Sequence, residues 1–521
     1  MQLLKNNFKL FPDQIENARS LSTKKRALFV DSTGSGKTIS VLYAYAYRLS
    51  GGVLNFLFVL APKNAHDKEV WKTQINRFTN LRCISFEHLK KQLAAGRSLS
   101  NALAEVDVLY AKHTTLKTDL SLCSEILRLK GRALTVIDEV HAFKTKSSAL
   151  TTSGSIVLKH SFAVWGITAT DFSVGPMDVY NIVDFIYPGK LGTQKEFVLK
   201  FCLWSEKVIG RYYNGKLKKA RSVVGLSSPE GLKHALSDMM VLGTRYPKAN
   251  IHFIQYEMSS RERDLYSRVA GGFMLKGDDS SESWIREVLR RGESDVSEIK
   301  SIKDVERHSA RYIYLQSVVD GSLEQDGTFG TSSSVKSSKY VEVITDLARK
   351  GESVLMYFDY YTSMDNFKAQ LEAAEIKDIN GRPIKILENS ERVRQKKGFV
   401  TSSLVKYNTY IILCSRASSE SDNYPFIKHV IFYSNPTTPI TYLQMAGRIT
   451  RRDTEFEGDL HIWIPVSDNI DKYKLVRIGY KLSQMQGICY NLTEIFPKEF
   501  LQTLDDASQI ENAKKNLLWR K

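Results

Sequence analysis

Short apolar runs, each stopped by a glycine, a proline or an acid, recur through the first third of the chain. Ala27–Val30, Val53–Leu60, Val106–Tyr110, Ala133–Ile137 and Phe162–Trp165 are nearly continuous rather than alternating. Strands covered on both faces of a parallel sheet read this way. Ile39–Leu49 contains neither Gly nor Pro and predicts a helix. Residues 256–320 are polar with a helical pattern, opened by the capping signal Ser259-Ser260-Arg261-Glu262. Asp320–Lys339 is rich in Gly, Ser and Asp and lacks an apolar period, which predicts a linker and a hinge. A second strand–helix series follows: helix Lys339–Lys350, strand Ser353–Phe358, helix Asp365–Ala374, and strands Thr409–Leu413 and Val430–Tyr433. Residues from Ser467 to Lys521 read as amphipathic helix with no site. Strands alternating with helices in both halves predict an α/β protein with two parallel-sheet lobes.

Composition narrows the class. At 521 residues the chain exceeds one core, and 42% hydrophobic with 25% charged residues is the balance of a globular protein in water. The longest apolar stretch, Val53–Ala61, is interrupted by Asn55 and is too short to span a bilayer. The N-terminal MQLLKNNFKLFPDQ lacks the apolar core and small-residue cleavage site of a signal peptide. The expectation is a soluble cytoplasmic or nuclear protein with no membrane partner. Five scattered cysteines without a CxxC pair argue against a zinc site and a disulfide framework. A net charge of +17 suggests a polyanionic partner, although a solvated basic surface would give the same number.

The chemistry concentrates where apolar runs end. Ala27–Val30 leads into Asp31-Ser-Thr33-Gly34-Ser35-Gly36-Lys37-Thr38 and then into the predicted helix. Strand, glycine-rich loop and helix N-terminus in that order form a phosphate cradle, because the first helical N–H groups point at the loop and the helix dipole favours an anion. Lys37 would reach the β- and γ-phosphates of ATP, and the Thr38 hydroxyl would ligate Mg²⁺. Asp31 replaces the first glycine of the usual pattern. Just upstream, Gln14 is either a reader of the adenine edge or a surface glutamine. Ala133–Ile137 ends in Asp138-Glu139-Val140-His141, where Asp138 would hold Mg²⁺ through water and Glu139 would orient and deprotonate the attacking water. His141 would sit beside the γ-phosphate, and the hydroxyls of Gly166-Ile-Thr168-Ala-Thr170 would link these acids to a moving part.

Candidate nucleic-acid contacts lie at other strand ends. Lys63 follows one strand, with Trp71 and Lys72 beyond it. His113 and Thr114 follow another, where hydroxyls either hold a phosphate backbone or cap a helix. Lys207 to Arg221 carries Arg211, Lys216, Lys218 and Lys219 and no acid, with Tyr212-Tyr213 before an Asn-Gly turn signal. Residues 208–224 therefore predict a basic hairpin. It is a clamp with a stacking tyrosine, or a solvated edge hairpin whose lysines block edge pairing.

TGSGKT, APKNAHDKEVW, DEVH and GITAT, in this order, resemble motifs I, Ia, II and III of superfamily 2 helicases. Asp31 matches the aspartate that the Snf2 branch carries there, and Asp184-Phe-Ile-Tyr-Pro188-Gly resembles the Snf2 pattern beyond motif III. Cys414–Ser421, which includes Arg416, occupies the place of motif V, with serines where relatives have glycines. Gln444-Met-Ala-Gly447-Arg448-Ile-Thr-Arg451 resembles motif VI. On a helix Arg448 and Arg451 share one face, and two guanidiniums suit a γ-phosphate.

The resemblance implies two RecA-like parallel-sheet lobes with a helical bridge and a basic β-hairpin insertion. The expected division is 1–205 for the ATP-binding lobe, 206–225 for the hairpin, 226–335 for bridge and linker, 336–465 for the second lobe and 466–521 for a helical tail. It further implies a DNA-dependent ATPase that needs Mg²⁺. Its lobes close to complete the site with Arg448 and Arg451, with Gln444 beside the nucleotide. DNA contacts are expected from Lys63, His113, Thr114, Arg211, Tyr212, Lys216, Lys218, Lys219 and Arg416. Fork remodelling or branch migration on duplex, forked or four-way DNA is the activity expected of the outline between Phe201 and Arg245, which is similar to annealing helicases. The alternatives are a duplex translocase that displaces bound proteins and an ATP-gated DNA clamp. A motor of this type can work as a monomer, and its compactness resembles that of phage- or virus-encoded helicases.

Overall fold

The structure, a computed structural model, describes residues 3–5, 10–31, 34–67, 69–169, 175–211, 217–243, 249–270, 309–323, 330, 332–394, 408–415, 424, 426–447 and 459–483. Of residues 205–211, 217–222 and 224 only the backbone is described. The chain divides into two compact units, one up to residue 246 and the other from 247 to 480.

The first unit is built on seven strands: β1 (Arg26–Val30), β2 (Phe56–Ala61), β3 (Cys83–Ser85), β4 (Val108–Lys112), β5 (Ala133–Asp138), β6 (Ala163–Thr168) and, after an antiparallel pair β7 (Cys202–Arg211) and β8 (Leu217–Leu226), β9 (Met240–Leu242). Their order is β3-β4-β2-β5-β6-β1-β9, and every pairing is parallel. The strand period of two explains the unbroken apolar runs. Phe56, Phe58 and Leu60 face one hydrophobic core while Leu57, Val59 and Ala61 face the other. Truncating one of these, for example Phe58→Ala, would cost about 3–5 kcal/mol in transfer and cavity energy.

Several strands are displaced from their sequence-based limits, β4 by two residues, and two of these shifts have a visible cause. β2 starts at Phe56, because the turn at Gly51-Gly52 takes up the residues before it and leaves Val53 41% exposed. β6 runs on through Gly166 to Thr168 rather than stopping at Trp165. A Cβ at Gly166 would lie 2.5 Å from Ile186 Cδ1, so this glycine marks close packing of the helix Pro176–Ile186, not a strand end. The expected hairpin is present as β7 and β8, with Arg211 opposite Leu217, and starts at Cys202. Its Tyr212–Lys216 turn lies outside the described residues.

The second unit holds a six-stranded parallel sheet. Its strands are β10 (Ala249–Gln255), β11 (Val354–Phe358), β12 (Lys385–Asn389), β13 (Tyr410–Ser415), β14 (His429–Phe432) and β15 (Leu460–Val466), in the order β10-β15-β14-β11-β13-β12. Within the stretch expected to hold a helical bridge and linker, 226–335, the described residues include strands of both sheets. β9 closes the first sheet, and β10 is an edge strand of the second. Helices Ser260–Ala270 and Ser309–Val319 pack with Tyr256, Leu323, Tyr360 and Tyr473 in a core of the second unit. The capping signal is realised, with Ser259 N–H donating to Glu262 Oε2 at 2.6 Å and Glu262 N–H to Ser259 Oγ at 3.3 Å.

The hinge expected over Asp320–Lys339 is also corrected among its described residues. Asp320 and Lys336 are both 0% exposed and paired at 2.8 Å, and the helix Val335–Arg349 begins inside this stretch. Lys336 also bonds Asp471 at 2.7 Å, at the start of the helix Ile470–Ser483. Polar composition read as a linker because the partners that bury these charges are distant in the chain. Among the described residues, no helix is long and apolar enough to cross a membrane.

Candidate active site

The glycine loop leaves the carboxyl end of β1 and enters the helix Lys37–Ser50. Gly36 is the N-cap with φ +90°, and Gly34 has φ +79°, both in the left-handed region that glycine enters without strain. A Cβ on Gly36 would sit 2.3 Å from Gln14 Nε2. That amide is only 6% exposed; it donates to Ser35 carbonyl at 2.9 Å and accepts Phe11 N–H at 3.1 Å. Gln14 is thus a buried residue rather than a surface one, and its amide braces the glycine loop through Ser35. Lys37 folds back so that Nζ donates to the Asp31 carbonyl at 3.1 Å. Asp31, buried in place of the usual glycine, fits because Gly243 stands against its carboxyl, where a Cβ would approach Cγ to 2.1 Å. Ser35 is buried, and Thr38 is half-buried at the first turn of the helix.

One strand, β6, separates β1 from β5, so the loop and the acids open on the same edge of the sheet. Asp138 ends β5. Its Oδ1 accepts Glu139 N–H at 3.0 Å, and its Oδ2 accepts the indole N–H of Trp71 at 2.9 Å. Glu139 holds φ +49°, a left-handed conformation that costs a non-glycine residue about 1–3 kcal/mol and is tolerated at working sites. Its Oε2, the Thr168 hydroxyl and His141 Nδ1 form a triangle with all three separations 3.3 Å. Of the strand-end threonines, Thr168 thus bonds Glu139 and His141, while Thr170 lies outside the described residues.

The two acids are driven apart. Burial and then the adjacent Glu139 charge push the Asp138 carboxyl up. Burial acts on Glu139 in the same direction, but the His141 hydrogen bond and the charges of His141 and Lys37 outweigh it and hold Glu139 low. Glu139 is therefore the more acidic of the two, which suits a water-activating carboxylate. Thr38 and Asp138 are hard oxygen donors that fit Mg²⁺. A divalent cation would restore the Asp138 charge that burial disfavours. Among the described residues no trio of His, Cys, Asp or Glu could hold a metal alone. This suits an ion bound by one or two protein oxygens together with phosphates and water.

The structure overturns one expected nucleic-acid contact. His113 is buried, its Nε2 2.7 Å from the Asp138 carbonyl oxygen, and its ring packs edge-on against Phe143. Burial drives its pKa down to about 4, outweighing the carbonyls of Asp138 and Leu60 that favour its protonation. A ring so enclosed cannot meet a phosphate backbone. Trp71, at the sheet edge as expected, is likewise turned inward and 1% exposed. A buried indole N–H must find an acceptor, which is the only hint of this bond in the sequence. Lys63 and Thr114 are exposed. Gln444 lies on the helix Pro439–Ala446 of the second unit, 9% exposed. Thr33, Tyr212, Lys216, Arg416, Arg448 and Arg451 lie outside the described residues, and of Arg211, Lys218 and Lys219 only the backbone is described.

The chain matches the SNF2-related domain family over residues 14–314 and the helicase conserved C-terminal domain over residues 336–453. It is 20% identical to "Uncharacterized ATP-dependent helicase YqhH" of Bacillus subtilis, across 94% of this chain and 82% of that one. It is 21% identical to "Uncharacterized ATP-dependent helicase MG018" of Mycoplasma genitalium, across 71% of this chain but 32% of that longer relative. Among solved structures, the Sulfolobus solfataricus SWI2/SNF2 ATPase core in complex with dsDNA aligns over 97% of this chain and 99% of that one, with 17% identity and a TM-score of 0.40. The SNF2-related match alone covers more than half of the chain, and the chain belongs to the SNF2-related branch of the superfamily 2 helicases, ATP-dependent enzymes built on two parallel-sheet lobes.

Proposed function

We propose that the protein is an ATP-driven DNA translocase that acts on branched DNA, remodelling forks or migrating branches. The observation that most directly supports its ATP-driven part is the pair of acids at the end of β5, with Glu139 tied to Thr168 and His141 at 3.3 Å each. In this reading Lys37 leaves the Asp31 carbonyl for the β- and γ-phosphates, and the loop N–H groups and helix N-terminus cradle them. Glu139 orients the attacking water and takes its proton, and Thr168 with His141 fixes the carboxylate that does so. Mg²⁺, held by Thr38 and Asp138, would neutralise developing phosphate charge. Arg448 and Arg451 supply the guanidiniums that complete the transition-state charge, an effect worth roughly 10³-fold or more.

DNA enters this proposal through the net charge of +17, the basic β7–β8 hairpin and the exposed Lys63 and Thr114. The test is ATP turnover with single-stranded, duplex, forked and four-way DNA. Strongest stimulation by junctions, together with exchanged strands, is expected. Stimulation by plain duplex without exchanged strands would replace this reading with a protein-displacing translocase. Negligible turnover with tight ATP-dependent DNA binding would replace it with a clamp. Arg451→Ala is expected to abolish turnover, and wild-type rates in that variant would remove Arg451 from the reaction. Neutralising Lys216, Lys218 and Lys219 is expected to weaken duplex binding and flatten its salt dependence.

A further inference from the structure

Asp138 is fastened from two directions by segments that follow neighbouring strands. β4, β2 and β5 lie side by side in the sheet. His113, the first residue beyond β4, donates its backbone N–H to Ala61 of β2 at 3.0 Å, and its ring reaches past β2 to the Asp138 carbonyl of β5 at 2.7 Å. The ring cannot swing independently, because it abuts Phe143 (centroids 5.1 Å), which stacks on Phe185 at 4.5 Å. Trp71, in the helix Val70–Phe78 beyond β2, holds the carboxylate of the same residue at 2.9 Å. The two segments are also joined to each other: Lys112 Nζ lies 2.9 Å from Asp67 Oδ1, and the Tyr110 hydroxyl donates to Glu69 Oε1 at 3.3 Å. Each segment also carries an exposed residue, Lys63 after β2 and Thr114 after β4.

We propose that His113 and Trp71 are positioning residues that couple a nucleic-acid backbone bound at Lys63 and Thr114 to the placement of Asp138. This rests on the DNA reading given above. A ring with only a packing role would be content with its own strand and its immediate neighbour. His113 instead spends its side-chain bond two strands away, on the backbone of the residue that would hold Mg²⁺. Trp71 fixes that residue's carboxylate. A side-chain hydrogen bond is lost by about 3.6 Å, so a shift of the joined segments approaching an ångström must be followed by Asp138 or break both bonds. Close packing around the two rings leaves following as the easier response.

The experiment measures ATP turnover of the full chain with and without saturating duplex DNA, for His113→Phe, Trp71→Phe and His113→Gln. The two Phe variants keep a ring in place and remove the N–H; His113→Gln keeps an amide donor near the position of Nε2. The ratio of DNA-saturated to DNA-free kcat is expected to fall about fivefold or more in each Phe variant. KM for ATP should move less than kcat, and His113→Gln should recover most of the ratio. Trp71→Phe provides the second reading should His113→Phe fold poorly. Phe variants with a lower melting temperature but a wild-type ratio would make both residues merely structural and overturn the coupling alone. Wild-type turnover indifferent to every DNA would overturn the nucleic-acid reading itself, and the coupling with it.

Discussion

Three left-handed residues set the local shape of the site: Gly34, Gly36 and Glu139. At Gly36 a side chain meets two obstacles, the +90° φ and the Gln14 amide 2.3 Å from the added Cβ. Left-handed backbone costs a non-glycine residue about 1–2 kcal/mol, and the collision must in addition displace Gln14 from Ser35. Gly36→Ala is therefore expected to lose nucleotide binding. Lys37→Ala should keep the fold and lose turnover, since Lys37 is half-buried at the loop's end and contributes charge to the site. Nucleotide titration alongside a thermal melt separates the two, and wild-type affinity in Gly36→Ala would mean that phosphates do not bind this loop. The glycines, the lysine and the paired acids were legible because the chemistry they need is local in the chain. The tethers on Asp138 were not, since Trp71 and His113 reach it only once three strands lie side by side.

Among the elements, the buried polar cluster of the second unit is the least expected. Lys336 carries the ammonium between Asp320 and Asp471. Gln316 donates to Asp320 at 2.9 Å, Tyr256 donates to Asp471 at 2.7 Å, and Ser434 donates to Asp320 at 3.1 Å. Burial works against the charge on Lys336, but the two carboxylates outweigh it and raise its pKa. Asp320 is raised, chiefly by burial. The cluster binds the ends of helices Ser309–Val319, Val335–Arg349 and Ile470–Ser483 to the loop after β14, where Asn435 donates to the carbonyls of Pro465 and Asp471 at 2.9 Å each. Removing the ammonium alone would strand two carboxylates, so Lys336→Ala should destabilise the second unit by about 3–5 kcal/mol. Urea unfolding followed by a probe in that unit checks this. A loss under about 1 kcal/mol, the range of surface pairs, would show that the charges are not buried in solution.

For the molecule as a whole, the second unit carries its own acid sensitivity. His252 Nε2 lies 2.9 Å from His461 Nδ1, His429 stacks on His461, and the Trp463 indole donates to His429 Nδ1 at 3.2 Å. Burial, then its two histidine neighbours, then Lys428 and Lys350 push His429 down to about 3, despite Glu352 3.9 Å away. His252 is lowered by burial and His461; His461 is lowered by burial, with Asp459 and Glu352 opposing. Groups depressed in the folded state bind more protons when unfolded once pH drops below their ordinary value near 6.5. Their stabilisation is complete above that pH and is lost as pH falls toward the folded values. The unfolding midpoint of the second unit should therefore fall between pH 7 and pH 5, before most carboxylates titrate. His429→Asn, which keeps an acceptor for Trp463, should flatten that dependence. An unchanged slope in that variant would place the acid sensitivity elsewhere.

Two parallel-sheet lobes, the phosphate loop, the acids of β5 and the basic hairpin were all readable from residue order, because each depends on neighbours within a few positions. Alternating burial, glycine freedom and turn chemistry act at that range. Which polar residues end up inside was settled by folding alone. His113 appeared to be a backbone contact and became a buried strut; Gln14 became a brace; Asp320 and Lys336 passed from an apparent hinge into a core. The reason in each case is that burying a polar group is tolerated only where a partner meets it. Those partners stand 16 to 135 positions away, from Lys336 for Asp320 to Asp471 for Lys336, and are brought near only by folding.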